Sequence, residues 1–249
     1  MAQMVYREAG VTLSDSVVST ATFAPGITPE RMRMSLKALV FDLDGTLLDT
    51  LPDLVALTNA VMDAHGYPRH TAEEILTYIG SGARVLMRRA IPSYVPDDDL
   101  DGLMQLWRDL YPEFGFRLTK PYPGIAEALS ALHREGVLVG VLSNKFDAAV
   151  QDVIEAFFPG AFDIVRGEGP DTPRKPDPAG LLDVAREWGL PPAQIGLVGD
   201  TGGTDIAAAC AAGAFPIGVS WGYNSAESLW AAGARAVIDD PAELLALCR

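Results

Sequence analysis

The sequence has little of what marks several common classes of protein. Its 249 residues include two cysteines, Cys210 and Cys248, which are far apart and lack metal-ligand spacing. A disulfide framework and a zinc site are therefore excluded, and a reducing, cytoplasmic setting is expected. No apolar run reaches the roughly 18–20 residues that a membrane-spanning helix needs. The N-terminus shows no basic segment followed by an apolar one, so no secretory signal is expected.

Basic residues are also scarce. The chain has 19 Lys and Arg against 33 Asp and Glu, a formal net charge of −14, and no run of basic residues. Nucleic acid and anionic membranes are therefore not expected as partners, whereas a small anionic substrate and a divalent cation remain compatible. His65, His70 and His133 are isolated, and no Gly-x-Ser-x-Gly motif supports a serine hydrolase. We expect a monomer or a homodimer.

From residue 36 onward, short apolar runs alternate with helical patterns. Strands are predicted at 37–42, 137–143, 162–166, 195–199, 215–220 and 235–238. Helices are predicted at 124–135, 147–157, 179–188, 205–212, 225–232 and 241–248. This alternation predicts a Rossmann-like parallel sheet flanked by helices in an α/β fold. Residues 1–34 are Ser/Thr-rich and show no sustained period, so they are predicted to be an N-terminal extension without chemistry.

The interval 52–118 interrupts this alternation because it contains helical patterns only. It predicts an all-helical domain inserted into a core domain of residues 35–51 and 119–249. The linkers between the two are expected near Leu51-Pro52 and near Lys120–Pro123, where prolines restrict the chain.

Polar residues cluster where the predicted strands end. The first strand runs directly into Asp42-Leu43-Asp44-Gly45, and the other clusters are Ser143-Asn144-Lys145, Lys175 and Asp200 with Asp205. The carboxyl ends of parallel strands lie at one edge of a sheet, which is where ligands bind in such folds. Taken singly, each cluster has an alternative interpretation as a helix cap or a surface lysine. Together, the acids, the lysine and the hydroxyl and amide donors indicate a phosphate and Mg²⁺ site.

These motifs, in order over residues 36–249, resemble the haloacid dehalogenase-like hydrolase superfamily. Further motifs are similar to those of phosphoglycolate phosphatases that carry a helical cap after the first motif. They are Ile79-Gly-Ser-Gly-Ala-Arg84, Pro121-Tyr-Pro-Gly124, Ser143-Asn-Lys145, Arg174-Lys-Pro-Asp-Pro178 and Trp221-Gly-Tyr-Asn224. The resemblance implies a hydrolase core with a cap at 52–118, and an Mg²⁺-dependent phosphatase for a small phosphomonoester, foremost 2-phosphoglycolate.

The resemblance also implies roles for individual residues. Asp42 is expected to attack phosphorus and form an aspartyl-phosphate, while Asp44 protonates the leaving alcohol and then activates water. Lys175 is expected to hold Asp42 and the phosphate as a fixed cation. Residues assigned to substrate binding are Thr46, Ser143, Asn144, Lys145 and Arg84.

Mg²⁺ is expected to bind Asp42, the main-chain carbonyl of Asp44, and Asp200. Four residues separate Asp200 from Asp205, where the most similar phosphatases more often have three, so Asp205 is placed at or just outside the ligand shell. The cap residue Arg84 is expected to read a small carboxylate on the substrate, against the alternative of a solvated arginine paired with a surface acid.

Other functions stay open at this point. A phosphosugar mutase, a sugar-phosphate or nucleotide phosphatase, and a dehalogenase share the fold. Asp44 argues against a dehalogenase, which has no alkoxide to protonate, and Thr46 favours phosphatases over mutases. A non-catalytic phosphate-binding regulator would have no use for the Asp44 acid/base.

Overall fold

The computed structural model describes residues 22–23 and 36–248 of the chain. Their strands are β1 (Thr22–Phe23), β2 (Ala38–Phe41), β3 (Leu48–Asp49), β4 (Lys120–Pro121), β5 (Leu138–Phe146), β6 (Ile164–Glu168), β7 (Ile195–Gly199), β8 (Phe215–Val219) and β9 (Ala236–Ile238). Their α-helices are α1 (Leu51–His65), α2 (Ala72–Leu76), α3 (Ala83–Ala90), α4 (Leu100–Phe114), α5 (Ile125–Arg134), α6 (Asp147–Phe157), α7 (Ala179–Trp188), α8 (Ala207–Ala212), α9 (Ala226–Ala231) and α10 (Leu244–Cys248).

The main sheet has the order β1-β9-β8-β7-β2-β5-β6. Within the described residues, the six strands from β9 to β6 pair in parallel, which confirms the predicted fold class. Strand β2 lies inside the sheet, between β7 and β5, and its four apolar residues are buried on both faces. Leu39 and Phe41 pack into one core layer, and Ala38 and Val40 pack into the layer on the opposite face.

Part of the predicted N-terminal extension belongs to this sheet. Thr22–Phe23 pairs in antiparallel fashion with Ala236–Val237 at the edge. The rest of the predicted 1–34 extension lies outside the described residues. A two-residue strand has no period that a sequence pattern could reveal.

Helices α1 to α4 lie in the interval predicted to be helical and bury apolar side chains against one another. Trp107, Leu57, Met62 and Ile75 are among their most buried residues. The interval thus has a core of its own, continued at one side by Ala149 of α6. The domain boundaries at 52 and 118 stay a prediction.

The two linkers to this helical segment pair with each other, a feature without a sequence pattern. Leu48–Asp49 and Lys120–Pro121 form a small antiparallel ribbon. The buried carboxylate of Asp53, in the first turn of α1, accepts hydrogen bonds from the backbone N–H groups of Leu118 and Thr119 and from the Thr119 hydroxyl, at 2.6–3.0 Å. Asp53 therefore ties one linker to the other.

Among the helices of the described residues, none combines the length and the apolarity that crossing a bilayer requires.

Candidate active site

The first acidic motif lies in a tight turn at the end of β2. The Asp42 N–H donates to the Val198 carbonyl at 2.8 Å, which extends the ladder to β7. Gly45 then adopts a φ of +85°. A Cβ there would lie 2.5 Å from the Asp200 carboxylate, so glycine lets this turn pack directly against the next acidic motif.

Three carboxylates converge beside this turn. Oxygens of Asp42, Asp200 and Asp205 lie within 4.8 Å of one another, in nearly full burial. Burial, together with the neighbouring charge of Asp205, raises the pKa of Asp42 to about 7 in spite of the Lys175 ammonium. Burial also raises the pKa of Asp200 to about 8, followed by the charges of Asp205 and Asp42. If all three carboxyls were ionised, their negative charge would therefore exceed the positive charge that surrounds them.

Lys175 is the cation within the cluster. Its Nζ contacts Asp42 Oδ1 at 2.7 Å, Asp205 Oδ1 at 2.8 Å and the Leu142 carbonyl at 2.6 Å. An ammonium has three N–H donors, so these contacts use all of them. Burial alone lowers the pKa of Lys175, but the carboxylates of Asp205 and Asp42 raise it above its ordinary value.

Asp44 has a different partner. The Lys145 Nζ lies 3.2 Å from Asp44 Oδ1 and 5.7 Å from the centre of the Tyr111 ring. Asp42 and Asp44 thus face separate lysines. Their two environments differ as two distinct catalytic roles require.

Ser143 and Asn144 end up in different situations. Ser143 lines the cavity, where its Oγ accepts the Lys145 N–H at 3.2 Å. The Asn144 amide donates to the carbonyls of Gly80 and Lys175 and accepts the Lys175 N–H. Its side-chain N–H groups are both engaged in these contacts. Asn144 also lines the cavity, and its binding of phosphoryl oxygens stays a prediction. Asn144 positions the Lys175 loop.

The long spacing between Asp200 and Asp205 is absorbed by a π-helical turn at Gly202–Ile206. Such a turn accommodates one additional residue, and helix α8 accordingly begins at 207 rather than at the predicted 205. Asp205 Oδ2 accepts the Thr201 N–H at 3.0 Å, while its Oδ1 reaches Lys175. The turn therefore returns Asp205 to the carboxylate cluster.

Two predicted substrate-binding residues lie away from the cavity. Thr46 is fully buried and is not part of the cavity lining, and its hydroxyl has no hydrogen-bond partner among residues 22–23 and 36–248. Arg84 points outward and pairs with Asp101 at 2.5 Å, with 49% of its side chain exposed. This arrangement matches the alternative of an exposed arginine paired with a surface acid, and it gives the predicted carboxylate-binding role no support. Ala83 and Leu86 of α3 line the cavity, and Arg84 is not among the lining residues.

The segment after β8 was missed as part of the site. Trp221 Nε1 donates to the Thr46 carbonyl at 3.0 Å, and the Tyr223 N–H donates to Asp200 Oδ2 at 2.7 Å. A Cβ at Gly222 would overlap both Asp200 and the Gly45 carbonyl. In the sequence, Trp221-Gly-Tyr-Asn224 carries only a family resemblance, because neither an indole nor a backbone N–H indicates a catalytic role.

The cavity has two unlike sides. The sheet edge supplies polar groups: Asp42, Asp44, Ser143, Lys145, Lys175 and Asp205. The helical segment supplies mainly apolar and aromatic ones: Leu54, Ile79, Ala83, Leu86, Trp107 and Tyr111. The cavity thus suits a small molecule whose reacting group is charged and whose remainder is less polar.

A divalent cation fits the carboxylate cluster. Mg²⁺ prefers hard oxygen ligands and takes a few carboxylates together with water and substrate oxygens. Asp42, Asp200 and Asp205 supply three such groups, and the single lysine among them leaves their charge uncompensated.

Comparison with known proteins decides the family. The sequence profile of the haloacid dehalogenase-like hydrolases matches residues 39–219. The chain belongs to this family. A phosphoglycolate phosphatase of Pseudomonas putida is 35% identical over 85% of this chain and 79% of that protein. An N-acetylmuramic acid 6-phosphate phosphatase of Pseudomonas aeruginosa is 33% identical over 86% of this chain and 95% of that protein.

Solved structures agree with these haloacid dehalogenase-like relatives. The crystal structure of a predicted phosphoglycolate phosphatase from Haemophilus somnus 129PT has a TM-score of 0.79 and 30% identity, covering 90% of this chain and 100% of that one. The resemblance seen in the sequence is confirmed, as is the expectation of a phosphatase, a phosphoric monoester hydrolase.

Proposed function

We propose that this haloacid dehalogenase-like phosphatase hydrolyses a small phosphomonoester, with Mg²⁺, through an aspartyl-phosphate on Asp42. The observation that carries the proposal is the arrangement of two acids in separate environments. Asp42 is held by Lys175 within the carboxylate cluster, and Asp44 is held by Lys145 at the cavity.

The two acids divide the reaction between them. A carboxylate oxygen of Asp42 attacks phosphorus, the bond from phosphorus to the ester oxygen breaks, and Asp44 gives its proton to the departing alkoxide. Asp44, now a carboxylate, takes a proton from water. The hydroxide so formed attacks phosphorus, inorganic phosphate leaves, and Asp42 is regenerated.

The surrounding residues fix these groups in place. Lys175 holds Asp42 and Asp205 at 2.7 and 2.8 Å, so the nucleophile cannot rotate freely. Ser143 lies in the cavity lining, where its hydroxyl can bind a phosphoryl oxygen. Asp42, Asp200, Asp205 and the main-chain carbonyl of Asp44 would hold Mg²⁺, which supplies charge neutralisation to the phosphoryl oxygens when bound.

The favoured substrate is 2-phosphoglycolate. This choice is supported by relatives that are named phosphoglycolate phosphatases, such as the one from Pseudomonas putida. Because the Pseudomonas aeruginosa relative is named an N-acetylmuramic acid 6-phosphate phosphatase, the test also includes this sugar phosphate. Arg84 gives no support, because it faces away from the cavity.

The test is phosphate release from a panel of phosphomonoesters that includes 2-phosphoglycolate, N-acetylmuramic acid 6-phosphate and p-nitrophenyl phosphate, with EDTA and with Mg²⁺. We expect release with Mg²⁺ only, and loss of turnover in Asp42→Asn because an amide is not a nucleophile at phosphorus. Asp98→Asn, at an exposed position, is the matched control. Release by Asp42→Asn within tenfold of the parent protein would refute the covalent step.

A further inference from the structure

The cavity contains a second cation whose hydrogen-bonding capacity is not used up. Of the two lysines in its lining, Lys175 has three acceptors for three N–H donors. Among the described residues, the hydrogen-bond acceptor of the Lys145 Nζ is the Asp44 carboxylate, at the longer distances of 3.2 and 3.5 Å. The Lys145 side chain is only 7% exposed, so it lacks the full hydration of a surface lysine.

Tyr111 lies beside this lysine. The ring of Tyr111, on helix α4, lines the cavity and stands 5.7 Å from the Lys145 Nζ. Among the described residues, no group makes a hydrogen bond to its buried hydroxyl, and the nearby cation is the Lys145 ammonium. An unmade hydrogen bond is costly for a phenol in a protein interior. The ring is held edge-on against Phe146 at 5.2 Å, so packing fixes its place.

From this juxtaposition we infer that Lys145 and Tyr111 together bind a carboxylate carried on the carbon next to the ester oxygen of the substrate. The inference rests on the proposed phosphomonoesterase function. It assigns specificity to a strand residue and a cap residue, in place of Arg84.

The position of the pair follows from its contact with Asp44. The ester oxygen must come within hydrogen-bond reach of Asp44 to receive its proton. Because the Lys145 Nζ is itself 3.2 Å from Asp44, a substituent one carbon away from that oxygen falls next to the ammonium. An ammonium and a phenol are both donors, and an anionic oxygen is the acceptor that satisfies them best.

The surroundings limit the size of this leaving group. Besides Tyr111, the side chains on the cap side of the cavity are those of Leu54, Ile79, Ala83, Leu86 and Trp107. They carry no charge, and the indole N–H is their one polar group. A two-carbon hydroxy acid therefore suits the site better than a leaving group with a remote charge.

The experiment compares 2-phosphoglycolate with ethyl phosphate, in which a methyl group replaces the carboxylate. The measured quantity is the ratio of the two kcat/KM values in the full chain with Mg²⁺. In Tyr111→Phe, which keeps the ring packing, we expect this ratio to fall by about tenfold, the value of one hydrogen bond to a charged group. Tyr94→Phe, at an exposed tyrosine, should leave the ratio unchanged.

A second variant guards against a purely structural effect. Lys145→Met slows both reactions because Lys145 also contacts Asp44, but the ratio should fall here too, by tenfold or more. An unchanged ratio in both folded variants overturns the inference. Equal use of the two esters by the parent protein overturns it as well, while leaving the phosphatase intact. Failure to hydrolyse any phosphomonoester would instead refute the proposed function.

Discussion

The Tyr223 hydroxyl accepts the backbone N–H of Leu51, the first residue of helix α1, at 2.9 Å. It also accepts the N–H of Thr50 at 2.9 Å, so one phenol satisfies two donors at the start of the helix. The backbone N–H of the same tyrosine donates to Asp200. Tyr223 therefore connects the carboxylate cluster with the linker into the helical segment.

Removal of this hydroxyl should loosen the linker without disturbing the acids. In Tyr223→Phe, the N–H of the buried Thr50 loses this acceptor, and the Leu51 N–H keeps only its longer bond to Asp49 at 3.3 Å. We expect a loss of about 1–2 kcal/mol in the free energy of unfolding. The backbone bond to Asp200 is retained, so the Mg²⁺ concentration for half-maximal activity should stay within about twofold. Urea unfolding of Tyr223→Phe and of the exposed control Tyr94→Phe measures the first effect. Equal stability of the two variants would contradict it.

Asp53 gives a second test of the linkers. Asp53→Ala removes the acceptor of the Thr119 N–H and hydroxyl in a buried place, and of the Leu118 N–H at a partly exposed one, which should cost about 2–3 kcal/mol in the free energy of unfolding. Asp63, on the same helix, forms an exposed ion pair with Arg69. Asp63→Ala should therefore cost less than about 1 kcal/mol. Similar losses in the two alanine variants would show that the Asp53 contacts contribute little.

Sequence could predict the elements that have a regular pattern of apolar residues and the sites that are marked by charged residues. Strand β2 follows from a continuous apolar run, and the approach of Asp42 to Asp200 follows from parallel strands that end at one edge. The two alternatives for Arg84 could not be separated from sequence, because its partner Asp101 lies on another helix, 17 residues away. Asp53 was missed because its partners are backbone groups 65 residues away.

The π-helical turn illustrates a different limit. The spacing between Asp200 and Asp205 was noticed as unusual, but a count of residues does not say whether the chain bulges outward or tightens. The local backbone absorbs the additional residue, and Asp205 keeps its contact with Lys175. Tertiary contacts, rather than the spacing, determine the outcome.

Arg84→Met should leave catalysis almost unchanged. Arg84 lies outside the cavity lining, and its exposed pair with Asp101 is worth less than about 1 kcal/mol. We expect kcat/KM for 2-phosphoglycolate and for p-nitrophenyl phosphate to stay within about twofold of the parent values, since a pair of that strength makes no contact with substrate. A selective loss of tenfold or more on 2-phosphoglycolate would show that Arg84 turns inward when substrate binds.

The carboxylate cluster predicts a dependence of stability on pH that Mg²⁺ reverses. Burial and the neighbouring acids raise the pKa of Asp200 to about 8, against about 3.9 for an unfolded aspartate. The neutral carboxyl is therefore favoured in the metal-free fold. Its contribution to stability is complete below about pH 4 and is lost as the pH rises through about 8.

Asp200→Asn keeps a neutral group of similar shape at every pH. In EDTA, the melting temperature of Asp200→Asn minus that of the parent protein should therefore rise by several degrees between pH 5 and pH 9. The same difference for Asp98→Asn should not change. With Mg²⁺ at pH 9 the order should reverse, because the parent binds the cation with deprotonated carboxylates and the variant lacks one of them. If the difference in melting temperature in EDTA does not change with pH, Asp200 is already ionised in the metal-free protein. Lys175 would then neutralise more of the charge of the cluster than the geometry indicates.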